Sequence, residues 1–281
     1  MNLFVSPAWL AARLDDPNVA VLDATLPPVG VLPVVDTHAH YLAGHLPGAA
    51  FFDIEAFSDP ASGLPHTLPA AEDFARGMGA LGLRETMTFV VYEQAGVFSA
   101  PRAAWTLRTF GVQEVHLLDG GLPAWTAAGL PTTSGPVERA PATFHARLDA
   151  DAVVGFAQVQ SLLAAGAQVL DARSAGRFAG TAPEPRPGLP SGHMPGTTSV
   201  PFTDLIEAGR LKQPGELAAL FQAKGVDLAR PITTTCGSGI TAAVVSLALE
   251  LAGASQVTLY DGSWAEYAAH PQARIERLDV P

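Results

Sequence analysis

The feature that most restricts what this chain can fold into is an internal repeat. Val21-Leu-Asp-Ala24 recurs as Val169-Leu-Asp-Ala172, and at the same spacing of 148 Gly44-His-Leu-Pro-Gly48 recurs as Gly192-His-Met-Pro-Gly196. Leu118-Asp-Gly-Gly121 ahead of Trp125 is answered by Tyr260-Asp-Gly-Ser263 ahead of Tyr267, now at a spacing of 142. Three matches in one order indicate a duplicated unit of roughly 140 residues, far longer than the repeat of a solenoid. A chain of 281 residues holds two such units. Duplication also excludes a single eight-stranded barrel.

Within each copy, β-rich runs alternate with helical patterns. In the first, Val19–Asp23 reads as a strand, Ala71–Leu81 as a helix and Met87–Tyr92 as a strand. Arg102–Phe110 then reads as a helix, Glu114–Leu118 as a strand and Leu122–Ala128 as a helix. The second copy places strands at 167–171, 231–235 and 256–260. Such alternation predicts an α/β fold, each domain a mostly parallel sheet flanked by helices. The stretch 131–147 is rich in Pro, Thr and Ser without an apolar period and reads as a connector. The expected division is a first domain over 1–135, a linker over 136–147 and a second domain over 148–281.

Cys236 is the only cysteine. It follows the β-branched run Ile232–Thr235, precedes Gly237 and Gly239, and a buried helix is expected from about Thr241 to Leu251 with Gly253 as its stop. In open parallel sheets, ligands bind beyond the carboxyl ends of the strands, which is where this residue falls. Inward-facing N–H groups and a helix start favour a thiolate, the reactive form of the side chain. The ordinary alternative is a small buried hydrophobe. A cysteine phosphatase would need an arginine six positions on to clamp phosphoryl oxygens, and that position is Ala242. Cys236-Gly-Ser-Gly-Ile-Thr-Ala242 instead resembles the active-site loop of the sulfurtransferases, the rhodanese and 3-mercaptopyruvate group. Its Gly-Ser is similar to the mercaptopyruvate type, since thiosulfate-preferring members usually carry basic residues there.

The resemblance extends over the whole chain. It implies two tandem rhodanese-like domains, an inactive first and an active second, and the first copy does end its equivalent strand in Val91-Tyr-Glu93 without a cysteine. It further implies that Arg177 and Arg186 bind the carboxylate and carbonyl of the donor, a task suited to a planar guanidinium fork. The alternative for each is a surface residue paired with an acid such as Glu184. Arg173 reads as a brace of the loop after its strand. Ser238 either relays a proton or caps a helix. In the family this serine is coupled to a histidine and an aspartate reached from the first domain, whose positions match His66 and Glu55, so a glutamate stands where the family has an aspartate. Asp53 is the neighbouring acid that would substitute. Gly237, Gly239, Ile240 and Thr241 complete the expected substrate-binding loop. His45 and His193 occur in both copies and read as turn-fixing residues.

Net charge is −11, divided as −8 before residue 140 and −3 after it. This argues against nucleic-acid or anionic-membrane partners and requires local arginines for an anionic substrate. The amino-terminal residues lack the basic and apolar segments of a signal peptide, and no apolar run reaches membrane-spanning length. A lone cysteine fits a reducing cytoplasm. His38-x-His40 after Val35-Asp-Thr could open a metal site at a strand end, but a solvated loop is the better reading and no metal or organic cofactor is expected. The resemblance implies an enzyme that takes sulfur from 3-mercaptopyruvate onto Cys236, releases pyruvate and hands the sulfur to cyanide, a small thiol or a thioredoxin-like protein. The alternatives are a thiosulfate:cyanide sulfurtransferase and a persulfide carrier that does not turn over small donors.

Overall fold

A computed structural model of the chain describes residues 3–28, 30 and 35–278. The chain divides into two compact units, one of residues 1–59 and 68–149, the other of residues 60–67 and 150–281.

The first unit contains β1 (Phe4–Val5), α1 (Pro7–Ala11), β2 (Val19–Asp23), α2 (Thr37–Ala43), β3 (Ala50–Phe51) and α3 (Ala71–Ala80). It continues with β4 (Thr88–Tyr92), α4 (Ala100–Thr109), β5 (Val115–Leu118) and α5 (Gly121–Ala127). Its sheet has the order β1-β5-β4-β2-β3 with every pair parallel. Val5, Val21, Val90 and Leu118 from the strands pack with Leu10, Leu46 and Trp125 in one buried cluster. Each such aliphatic side chain contributes about 1.5–3 kcal/mol by leaving water.

The second unit contains β6 (Val153–Val154), α6 (Phe156–Ala164), β7 (Gln168–Asp171), α7 (Ala175–Ala179), β8 (Thr198–Ser199) and the small hairpin β9 (Ile206–Glu207) and β10 (Arg210–Leu211). Then come α8 (Pro214–Ala223), β11 (Ile232–Thr235), α9 (Ile240–Leu251), β12 (Val257–Tyr260) and α10 (Ser263–Tyr267). Its main sheet runs β6-β12-β11-β7-β8, again all parallel. Val154, Val169, Met194, Tyr260 and Trp264 form the corresponding buried cluster.

The repeat is thus realised strand for strand. Asp23 lies opposite Tyr92 as Asp171 lies opposite Thr235. The N–H of Ala24 bonds the Tyr92 carbonyl at 2.9 Å, and that of Ala172 bonds the Thr235 carbonyl at 2.8 Å. The last strand residues Tyr92 and Thr235 therefore correspond, which makes Glu93 the counterpart of Cys236. The two repeated histidines also take equivalent places. A ring nitrogen of His45 meets the Leu46 carbonyl at 2.8 Å, one of His193 meets the Phe178 carbonyl at 2.9 Å, and each imidazole stacks on an aromatic ring, Tyr41 or Phe178.

Two expectations need correction. The stretch 136–147 does not stand between the units but belongs to the first, and the division falls after Asp149. Phe144 is buried, the Ala142 N–H bonds the Gly79 carbonyl at 2.9 Å, and the Arg147 N–H bonds the Phe110 carbonyl at 3.0 Å. The approach is so close that a Cβ on Gly79 would lie 2.5 Å from the Ala142 oxygen. The second unit, in turn, takes residues 60–67 from what reads as first-domain sequence. The segment with His38 and His40 is neither a strand end nor a loop but helix α2, whose Asp36 cap accepts the Ala39 N–H at 2.9 Å. Residues two apart on a helix point about 200° apart and cannot share a metal.

Candidate functional site

β11 is the middle strand of its sheet, hydrogen-bonded to β7 and β12. Its threonines suit a pleated, fully buried strand, and the hydroxyls of Thr233 and Thr234 find partners, whereas that of Thr235 is buried without one among the described residues. Thr233 meets Thr258 at 2.9 Å and Thr234 meets Ser246 of α9 at 2.8 Å. Cys236 follows directly and is 2 % exposed. The chain then turns through Gly237–Gly239, and Gly239 enters α9 with φ of 82°, a left-handed conformation that glycine adopts without steric cost.

The start of α10 anchors the loop from behind. The Trp264 N–H donates to the Cys236 carbonyl at 2.9 Å and the Ala265 N–H to the Gly237 carbonyl at 3.0 Å. The Cys236 N–H reaches Ser263 Oγ at 3.3 Å, and that hydroxyl donates to the Tyr260 carbonyl at 2.8 Å. The N–H groups of Gly237, Ser238 and Gly239, by contrast, have no acceptor among the described residues, and no side chain caps α9. Oriented, unpaired backbone donors at a helix start form a concavity suited to a negative charge.

Two guanidinium groups border this concavity. A Cβ built on Gly237 would lie 2.9 Å from Arg177 Nη2 and 3.8 Å from Arg186 Nη1. Arg177, from α7, is held through Nε and Nη2 by Glu184 at 3.1 and 2.5 Å. The pairing with Glu184 and the approach to the loop therefore coexist. Glu184 also accepts from Arg173 Nη1 at 2.9 Å. Arg173 is fully buried, meets Asp171 at 2.6 Å and the Gly192 carbonyl at 2.7 Å, and lies 4.0 Å over the Trp264 ring. Burial works against its charge, but Asp171 and Glu184 outweigh that and hold the guanidinium above its ordinary value. Arg173 is a brace.

Ser238 is buried and does not cap the helix. Its Oγ lies 2.9 Å from Nδ1 of His66, itself 2 % exposed. His66 belongs to the 60–67 segment of the same unit and has φ of 63°. A left-handed backbone at a non-glycine residue costs about 1–2 kcal/mol and is sustained only where surroundings impose it. Glu55 lies in the other unit and is exposed. Its neighbour Asp53 is committed as a turn cap, accepting the N–H groups of Glu55 and Ala56 at 3.0 and 3.2 Å. Ile240 and Thr241 open α9.

The structure thus brings Cys236, Gly237, Ser238, Gly239, Arg177, Arg186 and His66 into one unit and one neighbourhood. Sequence reasoning missed Ser263 as a support of the Cys236 amide, although its place in the repeated Asp-Gly-Gly/Ser turn was a usable signal. It also treated Glu184 only as an alternative partner, not as the residue that joins Arg173 to Arg177.

A rhodanese-like domain model matches residues 6–128 and again 156–270. The chain is 46% identical over 278 residues to the 3-mercaptopyruvate sulfurtransferase of Escherichia coli O157:H7, covering 98% of each chain. It is 44% identical over 273 residues to that of Homo sapiens, covering 94% of this chain and 91% of the relative. The crystal structure of SseA from Escherichia coli, described as having the rhodanese fold, superimposes with a TM-score of 0.87 at 43% identity, over 94% of this chain and 99% of that one.

Proposed function

The chain belongs to the rhodanese family, with two rhodanese-like domains in tandem, and on that premise we propose that it moves sulfur from 3-mercaptopyruvate through a persulfide on Cys236 to an external acceptor. The observation that carries the reading is the convergence of Arg177 and Arg186 on Gly237, one residue beyond the only thiol in the chain. Two guanidinium forks match a carboxylate and an adjacent keto oxygen. With both engaged, the donor sulfur is presented to Cys236.

The thiolate attacks that sulfur. A sulfur–sulfur bond forms, the carbon–sulfur bond breaks, and its electron pair leaves as the enolate of pyruvate. The proton that the donor thiol carried is passed to the enolate carbon, and the persulfide stays as an anion. The N–H groups of residues 237–241 stabilise that anion, as preorganised dipoles do for other developing charges. Ser238 and His66, 2.9 Å apart, form a short path for the proton.

The chemistry calls for no metal or organic cofactor. A single cysteine cannot resolve its own persulfide through a second thiol, so cyanide, a small thiol or a dithiol protein of the thioredoxin type takes the sulfur. A thiol that must stay reduced suits the cytoplasm.

The test is pyruvate release from 3-mercaptopyruvate beside thiocyanate formation from thiosulfate, with cyanide as acceptor, in the wild type and Cys236→Ser. The expected result is a strong mercaptopyruvate preference that the substitution abolishes. Dominant thiosulfate turnover would replace the donor, and inactivity toward both would leave a persulfide carrier.

A further inference from the structure

Glu184 stands where the two arginine systems meet. Its side chain is 2 % exposed. One carboxylate oxygen takes Arg173 Nη1 at 2.9 Å and Arg177 Nε at 3.1 Å, and the other takes Arg177 Nη2 at 2.5 Å. Asp171 takes Arg173 Nε and Nη2 through contacts of 2.6–3.1 Å. The formal charges of Arg173, Arg177, Asp171 and Glu184 therefore cancel.

To an anion seated beside it, the Arg177 guanidinium offers a fork of directed donors, but the buried carboxylate behind it removes most of the net attraction. A buried charge is weakly screened by salt, and its repulsion grows in proportion to the charge of the anion. Mercaptopyruvate carries one negative charge on its carboxylate, whereas thiosulfate carries two. A neutralised fork still orients a monoanion through geometry. The dianion loses about twice as much.

We propose that Glu184 is the donor-selectivity residue of this site, favouring a monoanionic keto acid over a dianionic sulfur donor by cancelling the charge of Arg177 while fixing its orientation. The proposal rests on the sulfurtransferase reading of the same loop. It places the preference in a residue behind the arginine, in addition to the uncharged Gly237-Ser238 of the loop itself.

Glu184→Gln keeps the shape and one acceptor oxygen but removes the charge, and Glu184→Asp keeps the charge with a shorter reach. In Glu184→Gln the ratio of kcat/KM for thiosulfate to that for mercaptopyruvate should rise about tenfold, whereas in Glu184→Asp it should stay close to that of the wild type. An unchanged ratio in Glu184→Gln overturns the proposal. So does an equal shift in Glu184→Asp, which would assign the effect to geometry.

A second readout does not depend on turnover. Pyruvate and sulfate are titrated as protectants of Cys236 against alkylation by the neutral reagent iodoacetamide. Glu184→Gln should shift half-protection toward sulfate relative to pyruvate, by about tenfold. If that shift occurs in an enzyme that turns over neither donor, the proposed donor is wrong and the role of Glu184 stands. If mercaptopyruvate is turned over as proposed but neither ratio moves, only the role of Glu184 falls.

Discussion

Glu93 and Cys236 occupy the same place in the two units, one residue beyond a middle strand, and their surroundings differ in one decisive respect. After β4 the chain travels through residues 94–99 before α4 begins and folds its own donors back onto Glu93. The N–H groups of Phe98, Ser99 and Ala100 meet its carboxylate at 2.7–3.2 Å, joined by the Ser99 hydroxyl at 3.2 Å. After β11 only Gly237–Gly239 intervene, and their N–H groups find no acceptor among the described residues. Both units build an anion cradle from a strand end and a helix start. The first has filled its cradle with a side chain of its own, whereas the second pairs an unfilled cradle with a thiol and two arginines. The first cradle is closed by its own Glu93 carboxylate; in the second, backbone donors without a protein acceptor lie beside a thiol.

Three substitutions press on this contrast, in descending order of effect. Arg186→Ala removes one fork from the second loop and should raise KM for mercaptopyruvate by about 100-fold, measured by steady-state pyruvate release. An unchanged KM would mean that the guanidinium beside Gly237 takes no part in donor binding. Ser238→Ala breaks the 2.9 Å contact with His66 and should lower kcat about tenfold or more with little change in KM, the pattern of lost proton transfer rather than lost binding. Gly237→Ala inserts a Cβ 2.9 Å from Arg177 Nη2. Because Glu184 pins that guanidinium from the other side, it cannot yield freely, and KM should rise about tenfold.

The smallest effect belongs to the first loop. Burial pushes the Glu93 carboxyl up from its ordinary 4.5, and the N–H groups of Phe98, Ser99 and Ala100 pull it back only in part. Between the ordinary value and the raised one, the folded protein holds a proton that the unfolded chain has lost. Stability from this group therefore falls as pH rises through that window, by up to about 1.4 kcal/mol per pH unit. Glu93→Gln should flatten that part of the profile in denaturant unfolding at a series of pH values, with mercaptopyruvate turnover unaffected. An identical pH profile in the variant would place the carboxyl outside the clamp.

Much of this contrast was legible in the residues. The repeat, the alternation of strand and helix, and Cys236 at a strand end are short-range signals, and Val19–Asp23 was delimited to the residue. The glutamate at the equivalent strand end was also legible, but its clasp by residues 98–100 depends on how a loop doubles back, which no local pattern specifies. The stretch 136–147 reads as a connector because prolines and threonines announce the lack of a helix. They are silent on packing, and Phe144 is buried against the first unit. The membership of His66 in the second unit was hidden for the same reason, since residues 60–67 have no periodicity to tie them to either core. At α2, Asp36 was an overlooked helix-start signal.

The most direct test of the central claim is the mass of the protein after brief exposure to 3-mercaptopyruvate without an acceptor, combined with peptide mapping. The prediction is a gain of one sulfur atom on the peptide containing Cys236, its disappearance on adding cyanide, and no gain in Cys236→Ser. Pyruvate release without that gain, or sulfur retained by Cys236→Ser, would contradict a persulfide held in the second cradle.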